Sequence, residues 1–177
     1  MKNHVGGRLN GWRKLLLATA GVIALAVSVS AQSLKPDSCR VTTPNGIVAG
    51  SSERNENSYG NALLSVGPFG LWPNGTVVFK PGGAGFQTQE GALGMKFGWT
   101  RGVRGKFHVS GPRIDADVTP LRFETGPDDD TSFVASHLIF STPGCWEVTA
   151  QIDDREDSKI TFVTLVEKIG DGPAWRR

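Results

Sequence analysis

The chain has 177 residues, 38% of them hydrophobic and 20% charged, and its formal net charge is +2. The positive balance comes from the first 31 residues, because the remaining chain carries 15 Lys and Arg against 17 Asp and Glu. That slightly acidic remainder excludes nucleic-acid binding through overall charge. Its length of about 146 residues suits one domain and is too short for two ordinary ones.

The chain begins with the pattern of an export signal. Four basic residues and no acidic residue precede an uninterrupted apolar stretch at 15–29, which is followed by the small residues Ser30 and Ala31. This pattern predicts a signal peptide over 1–31, with cleavage before Gln32. The alternative is an uncleaved anchor, because residues 15–34 carry no charge and are long enough to span a bilayer. Both interpretations predict an extracytoplasmic location, secreted or periplasmic/cell-envelope, for the rest of the chain.

The segment 32–60 is rich in Ser, Asn, Gly and Glu and predicts an irregular N-terminal segment. It contains Cys39, and the second cysteine of the chain is Cys145. Because an exported chain meets an oxidising compartment, we expect these two residues to form a disulfide. The alternative is a catalytic or metal-binding cysteine, but the sequence shows neither CxxC spacing nor a neighbouring His.

Short apolar runs separated by Gly and Pro follow the irregular segment. Predicted strands lie at residues 62–66, 76–80, 95–100, 106–110, 113–118, 121–124, 136–141, 146–152 and 160–167. The Pro73-Asn74-Gly75 turn predicts a hairpin between the first two strands. The last strand has apolar residues on both faces, which is typical of a central strand.

The spacing of these strands predicts the fold class. No stretch after residue 31 shows a convincing helical period of more than about two turns. The sequence therefore predicts an all-β, antiparallel two-sheet sandwich, immunoglobulin-like, with eight or nine strands over residues 61–168 and a C-terminal tail at 169–177. A closed barrel is the alternative.

Two segments of the sequence carry a resemblance. The stretch 138–149 resembles the corner before the penultimate strand of bacterial immunoglobulin-like domains. Its PGCWEVT string, together with the turn at 72–76, resembles a family of exported bacterial proteins of uncharacterised function, over most of residues 59–168. The resemblance implies fold and location and brings no activity with it.

The position of the second cysteine predicts where the disulfide lies. Cys145 and Trp146 are adjacent, so their side chains face opposite sides of a strand. If Trp146 lies in the core, Cys145 lies outside it. We therefore expect the disulfide to hold the segment around Cys39 against an edge or outer face of the sandwich.

Candidate catalytic and metal-binding residues are few. After the leader, His108 and His137 are the only histidines, and no GxSxG or HExxH motif is present. No His or Met follows Cys145, which argues against a copper site. The acidic segments 127–130 and 153–157 lack the spacing of a calcium loop. The sequence therefore predicts no catalytic residue, no metal and no cofactor.

One basic cluster predicts a ligand surface. Arg101, Arg104, Lys106 and Arg113 fall within 13 residues and predict a basic patch, next to which Trp72 could offer an exposed ring. The alternative is that two neighbouring strands simply carry basic outer faces. If the patch binds a ligand, replacing its three arginines with alanine should leave the fold intact and weaken partner binding.

These observations favour an exported, non-catalytic binding or envelope-associated protein whose partner is an unknown protein or glycan. A membrane is a partner only if the signal segment remains uncleaved. One alternative is a small secreted hydrolase, or an inhibitor of cell-wall or polysaccharide enzymes; the hydrolase predicts a pocket that gathers His108 or His137 with Glu147 or Asp117. The other alternative is a membrane-tethered sensor anchored through residues 15–34.

Overall fold

The structure is a computed structural model that describes residues 39–67, 75–126 and 132–170, all within the unit Ser33–Arg177. The predicted leader, the tryptophan at position 72 and the acidic loop 127–130 lie outside the described residues. In chain order the strands are β1 (Tyr59–Gly60), β2 (Leu64–Gly67), β3 (Thr76–Phe79), β4 (Phe86–Gln87), β5 (Leu93–Arg101), β6 (Phe107–Ser110), β7 (Arg122–Thr125), β8 (Phe133–Phe140), β9 (Gly144–Ile152) and β10 (Ile160–Lys168). A short 3₁₀ helix, Glu156–Ser158, stands in the connection between β9 and β10.

These strands form two sheets that pack on each other, which confirms the predicted all-β sandwich. One sheet has the order β1-β2-β5-β8-β7, with β4 also paired to β5, and the other has the order β3-β10-β9-β6. The described residues contain ten strands rather than eight or nine, since β1 and β4 have two residues each and are too short to show an alternating pattern. The predicted strand 113–118 is wrong, because within it Arg113 alone forms a bridge, to Trp146.

The predicted hairpin between the strands at 62–66 and 76–80 is also wrong. β2 belongs to the six-stranded sheet, where β1 and β5 occupy its two sides. β3 instead pairs with the C-terminal half of β10, and this pair is parallel, with Thr76 opposite Leu165. The prediction of a purely antiparallel sandwich therefore fails at this one pair among the described strands. The physical reason is that β2 has no free side left, whereas β10 does.

The core lies between the two sheets and is built from alternating apolar side chains. Trp99 of β5 and Trp146 of β9 are both fully buried, as the alternation predicts. Each indole N–H has an acceptor, because Nε1 of Trp99 donates to Oγ of Ser136 at 2.8 Å and Nε1 of Trp146 donates to the carbonyl of Thr142 at 3.1 Å. A buried indole donor without an acceptor would destabilise the fold.

A disulfide joins Cys39 to Cys145 across 106 residues of sequence, as expected. Cys145 is next to the core residue Trp146, so the sulfur atoms lie on the outer side of β9. The chain then reaches Thr42, whose backbone N–H donates to the carbonyl of Val163 in β10 at 2.9 Å. The backbone N–H of Val163 in turn donates to Oγ1 of Thr42 at 2.8 Å. We call residues 39–58 the strap.

The strap continues from β10 to the six-stranded sheet. Nδ2 of Asn45 donates to the carbonyl of Gly60 at 2.7 Å, and the N–H of Gly60 returns a bond to Oδ1 of the same side chain at 3.2 Å. Further along, the N–H of Ala49 donates to Oγ of Ser65 at 2.9 Å. The strap therefore connects the outer side of one sheet with β1 and β2 at one end of the other.

Together with two neighbouring side chains, the strap closes the free side of β10. β3 covers β10 only from Leu165 onward, so Thr161 and Val163, whose backbone groups point away from β9, would otherwise be unpaired on that side. Thr42 bonds to Val163, the Tyr59 hydroxyl donates to the carbonyl of Thr161 at 3.0 Å, and the Asn61 side chain donates to the carbonyl of Lys159 at 3.3 Å. Exposed strand edges promote unwanted pairing with other chains, and here polar groups from the strap and β1 occupy the edge.

Candidate functional site

The predicted ligand surface is not assembled as the sequence suggested, and Arg101 shows why. Arg101 is only 4% exposed, and its Nη1 donates to the carbonyl of Gly105 at 2.8 Å. It lies two residues after the core residue Trp99 on β5, so its side chain points to the core side of the sheet. Arg101 is therefore a buried structural residue rather than an exposed contact, and the tryptophan at position 72 lies outside the described residues.

Arg113 is also held in a structural contact. Its guanidinium pairs with the carboxylate of Asp115, Nε to Oδ1 at 2.5 Å and Nη2 to Oδ2 at 3.2 Å, and Nη1 donates to Oγ1 of Thr142 at 3.1 Å. The guanidinium occupies the space that a Cβ atom on Gly144 would need. Gly144, with φ of 147°, therefore permits this contact in a way that no other residue could.

The charge state of Asp115 depends on this contact. Partial burial by itself raises the pKa of Asp115, but the hydrogen bond from Arg113 and the backbone N–H of Cys145 outweigh it, so the pKa lies below its ordinary value. The pair ties the β6–β7 connection to the corner that leads into the disulfide. The sequence contains a signal for this ion pair, because Arg113 and Asp115 are opposite charges two residues apart, although the basic cluster predicts a ligand contact for Arg113.

The basic residues lie at two separate places along β9. The carbonyl of Lys106 accepts from the N–H of Asp153 at 2.7 Å, whereas Arg113 pairs with Trp146. Six residues of extended strand separate Trp146 from Ile152, the last residue of β9, which corresponds to roughly 20 Å. Lys106 and Arg113 therefore lie at opposite ends of the edge along β9, and Arg101 is buried rather than part of an exposed patch.

What remains exposed is a row on β6. Lys106, His108 and Ser110 alternate with the core-facing Phe107 and the half-buried Val109, and all three are exposed. Arg104, two residues before Lys106, is exposed as well. Residues 91–114 contain five Lys and Arg and no Asp or Glu. We call the exposed residues Arg104, Lys106 and His108 the β6 basic row.

The two histidines lie on the outer faces of different sheets. His108 on β6 is opposite Gln151 of β9. His137 on β8 lies between Lys96 and Glu124 of its neighbouring strands, with its ring 5.3 Å from that of Phe86. The two rings therefore do not meet.

Neither histidine meets the carboxylate of Glu147. That residue shares the outer face of the sheet with Gln151 but lies four residues along β9, or roughly 13 Å, from the position opposite His108. Asp117 is exposed in the connection between β6 and β7. The gathered pocket of the hydrolase alternative is therefore not formed by His108, His137 and Glu147.

The acidic side chains of the described ranges do not gather into a metal site. No group of three or more His, Cys, Asp or Glu there could hold a metal ion. In the turn 153–157, Oδ1 of Asp153 accepts from the N–H of Lys106 and Asp157 pairs with Arg155 at 3.1 Å. The other acidic segment, 127–130, lies outside the described part of the chain. None of the helices in that part is long and apolar enough to cross a membrane.

Because Arg101 is buried, its replacement should lower the stability of the fold more than replacement of an exposed arginine. Arg101→Ala removes a buried guanidinium together with its bond to Gly105, so we expect the free energy of unfolding to fall by about 1–3 kcal/mol. The control is Arg122→Ala, because the side chain of Arg122 is 57% exposed and its loss should change stability by no more than about 0.5 kcal/mol. Urea denaturation measures both, and equal stabilities of the two variants would contradict the placement of Arg101.

The lowered pKa of Asp115 predicts a dependence on pH. A carboxylate whose folded pKa is depressed stabilises the fold above its unfolded pKa of about 3.9, and this contribution is lost as the pH falls through the folded value. Asp115→Asn should therefore be less stable than the unchanged protein at pH 7, and the difference should narrow on acidification below about pH 4. Urea denaturation of both proteins at a series of pH values measures the difference between their free energies of unfolding. A difference that stays constant down to pH 2 would contradict the prediction.

Comparison with known proteins adds no family to this description. No protein-family model matches the chain, and a search of curated proteins finds no significant match. The resemblance of the PGCWEVT corner to an exported bacterial family stays a prediction, and the assignment of function rests on the residues and contacts described above.

Proposed function

We propose that the chain functions outside the cytoplasmic membrane as a non-catalytic binding domain, with a protein or glycan partner of the cell envelope or its surroundings. The observation that carries the location is the Cys39–Cys145 disulfide, which agrees with the export pattern of residues 1–31. Stable disulfides belong to oxidising compartments. An immunoglobulin-like sandwich from the exported family that the PGCWEVT corner resembles is part of the same proposal.

The distribution of polar side chains supports binding over catalysis. Arg101 and the Arg113–Asp115 pair are occupied in structural contacts, and the two histidines lie on the outer faces of different sheets. A general base needs a partner within hydrogen-bond reach. The β6 basic row, by contrast, presents exposed side chains on an edge strand and on the segment just before it, which suits contact with a partner of opposite charge.

Location is tested by isolating the full-length chain from a bacterial host and measuring its mass with and without reductant. The proposal expects a mature chain that starts at Gln32 and gains two hydrogens on reduction. A chain that keeps residues 1–31 and free thiols in the cytoplasm would contradict it. A membrane-bound chain that retains residues 15–34 would instead support the anchored form.

Binding is tested with charge-reversed variants in a capture experiment on cell-envelope fractions. Lys106→Glu should lower recovery of the partner by about tenfold, because a contact charge is replaced by a repelling one. The matched control Arg122→Glu reverses a charge on β7 of the other sheet and should leave recovery unchanged. Equal recovery with both variants would remove the β6 basic row as the binding site.

A further inference from the structure

The edge formed by β6 is longer than the strand itself. Beyond Ser110 the chain keeps the same antiparallel register with β9, because the N–H of Glu147 donates to the carbonyl of Pro112 at 3.1 Å and the N–H of Ile114 donates to the carbonyl of Cys145 at 2.8 Å. At the other end the N–H of Asp153 donates to the carbonyl of Lys106 at 2.7 Å. The even-numbered residues from 106 to 114 therefore direct their backbone groups toward β9.

The odd-numbered residues consequently direct their N–H and C=O groups away from the sheet. Gly111 confirms this direction, since its carbonyl accepts from the N–H of Leu121, outside the sheet, at 3.0 Å. Val109 has the same orientation, and no partner for its two backbone groups is found within the described ranges. Because Phe107 is only 5% exposed, Val109, between the exposed His108 and Ser110, is the accessible point of this edge.

The free side of β10, unlike the β6 edge, is covered by polar groups of the chain. There, Thr42, Tyr59 and Asn61 occupy the open part of β10, and the Cys39–Cys145 disulfide fixes the beginning of the strap. Such coverage is the usual protection of a strand edge. The contrast singles out Val109 as an edge position that the described part of the chain leaves uncovered.

The charge around Val109 indicates what could occupy the edge. His108 on β6 and Lys106 just before it are exposed, and Lys106 forms no ion pair with the described residues. Two acidic residues lie across the ladder, each three residues from the Ala150 position opposite Val109: Asp153, whose Oδ1 accepts from the backbone N–H of Lys106, and Glu147, whose N–H donates to the carbonyl of Pro112. Side chains of an added strand would alternate between its two faces, so carboxylates at every second position would meet the β6 basic row.

We propose that the β6 edge at Val109 binds an extended acidic peptide segment of a partner protein, which adds to the four-stranded sheet as a further strand. Val109 donates its N–H to the peptide and accepts a bond at its C=O, while Lys106 attracts the carboxylates. This inference rests on the proposed binding function and names the partner chemistry of the same site. Main-chain bonds supply affinity, and the alternating charges supply selectivity.

The direct test uses hydrogen exchange of the purified, oxidised protein, followed by NMR. The probe is a capped heptapeptide in which threonine and glutamate alternate, and its control replaces every glutamate with lysine. We expect the glutamate peptide to slow exchange of the Val109 amide by about fivefold or more, with no change at Val163, and the lysine peptide to have no effect. An unchanged Val109 amide, equal effects of the two peptides, or protection that grows with protein concentration alone would each overturn the proposal, the last by identifying a second copy of the chain as the occupant.

A pair of variants separates the backbone contact from side-chain packing. Val109→Pro removes only an N–H that points away from β9, a position where an edge strand tolerates proline, whereas Val109→Ala shortens the side chain and keeps the N–H. We expect the proline variant to bind the glutamate peptide about tenfold more weakly than the alanine variant. Equal affinities would overturn the proposal.

A second experiment applies if the Val109→Pro variant does not fold. The unchanged protein is then titrated with a glutamate peptide whose central amide is N-methylated, which removes the peptide's own donor. Loss of binding supports strand addition, and retained binding overturns it. If no peptide binds but partner capture still depends on Lys106, the binding function stands and the edge proposal fails; if capture is also insensitive to Lys106, both fail.

Discussion

The sandwich depends on the closure of one strand edge. β3 is four residues long and covers β10 only from Leu165 onward, so the first half of this strand lacks a neighbour on that side. The strap supplies one through Thr42, and the Cys39–Cys145 disulfide fixes the start of the strap to the outer side of β9. Because closing a long loop restricts the unfolded chain, this bond stabilises the fold as well as positioning the strap.

The disulfide forms at the corner where the chain enters β9. Three consecutive residues there have different tasks: Gly144 leaves room for the guanidinium of Arg113, Cys145 forms the disulfide, and Trp146 fills the core. The Arg113–Asp115 pair holds the β6–β7 connection against this corner. The strap therefore covers the free side of β10, whereas β6, on the other side of β9, is an edge strand.

Alternation along single strands could be predicted from the sequence, and pairing between strands could not. The pattern around Trp146 predicts a half-buried β9 correctly, and two cysteines in an exported chain admit one pairing. The hairpin after Val66 fails because a turn signal does not reveal that both sides of β2 are already occupied. The basic cluster predicts an exposed Arg101 from its charge alone, whereas its position two residues after Trp99 on the same strand places its side chain on the core side.

The most direct test of this account is amide exchange at Val163, combined with urea denaturation, in the oxidised protein and in a Cys39→Ala/Cys145→Ala variant. Closure of β10 by an anchored strap predicts faster exchange at Val163 in the variant, while the amide of Phe162, which faces β9 rather than the strap, changes only with global stability. It also predicts an unfolding free energy lower by about 2–5 kcal/mol. Unchanged exchange at Val163 and unchanged stability would contradict the central role of the strap.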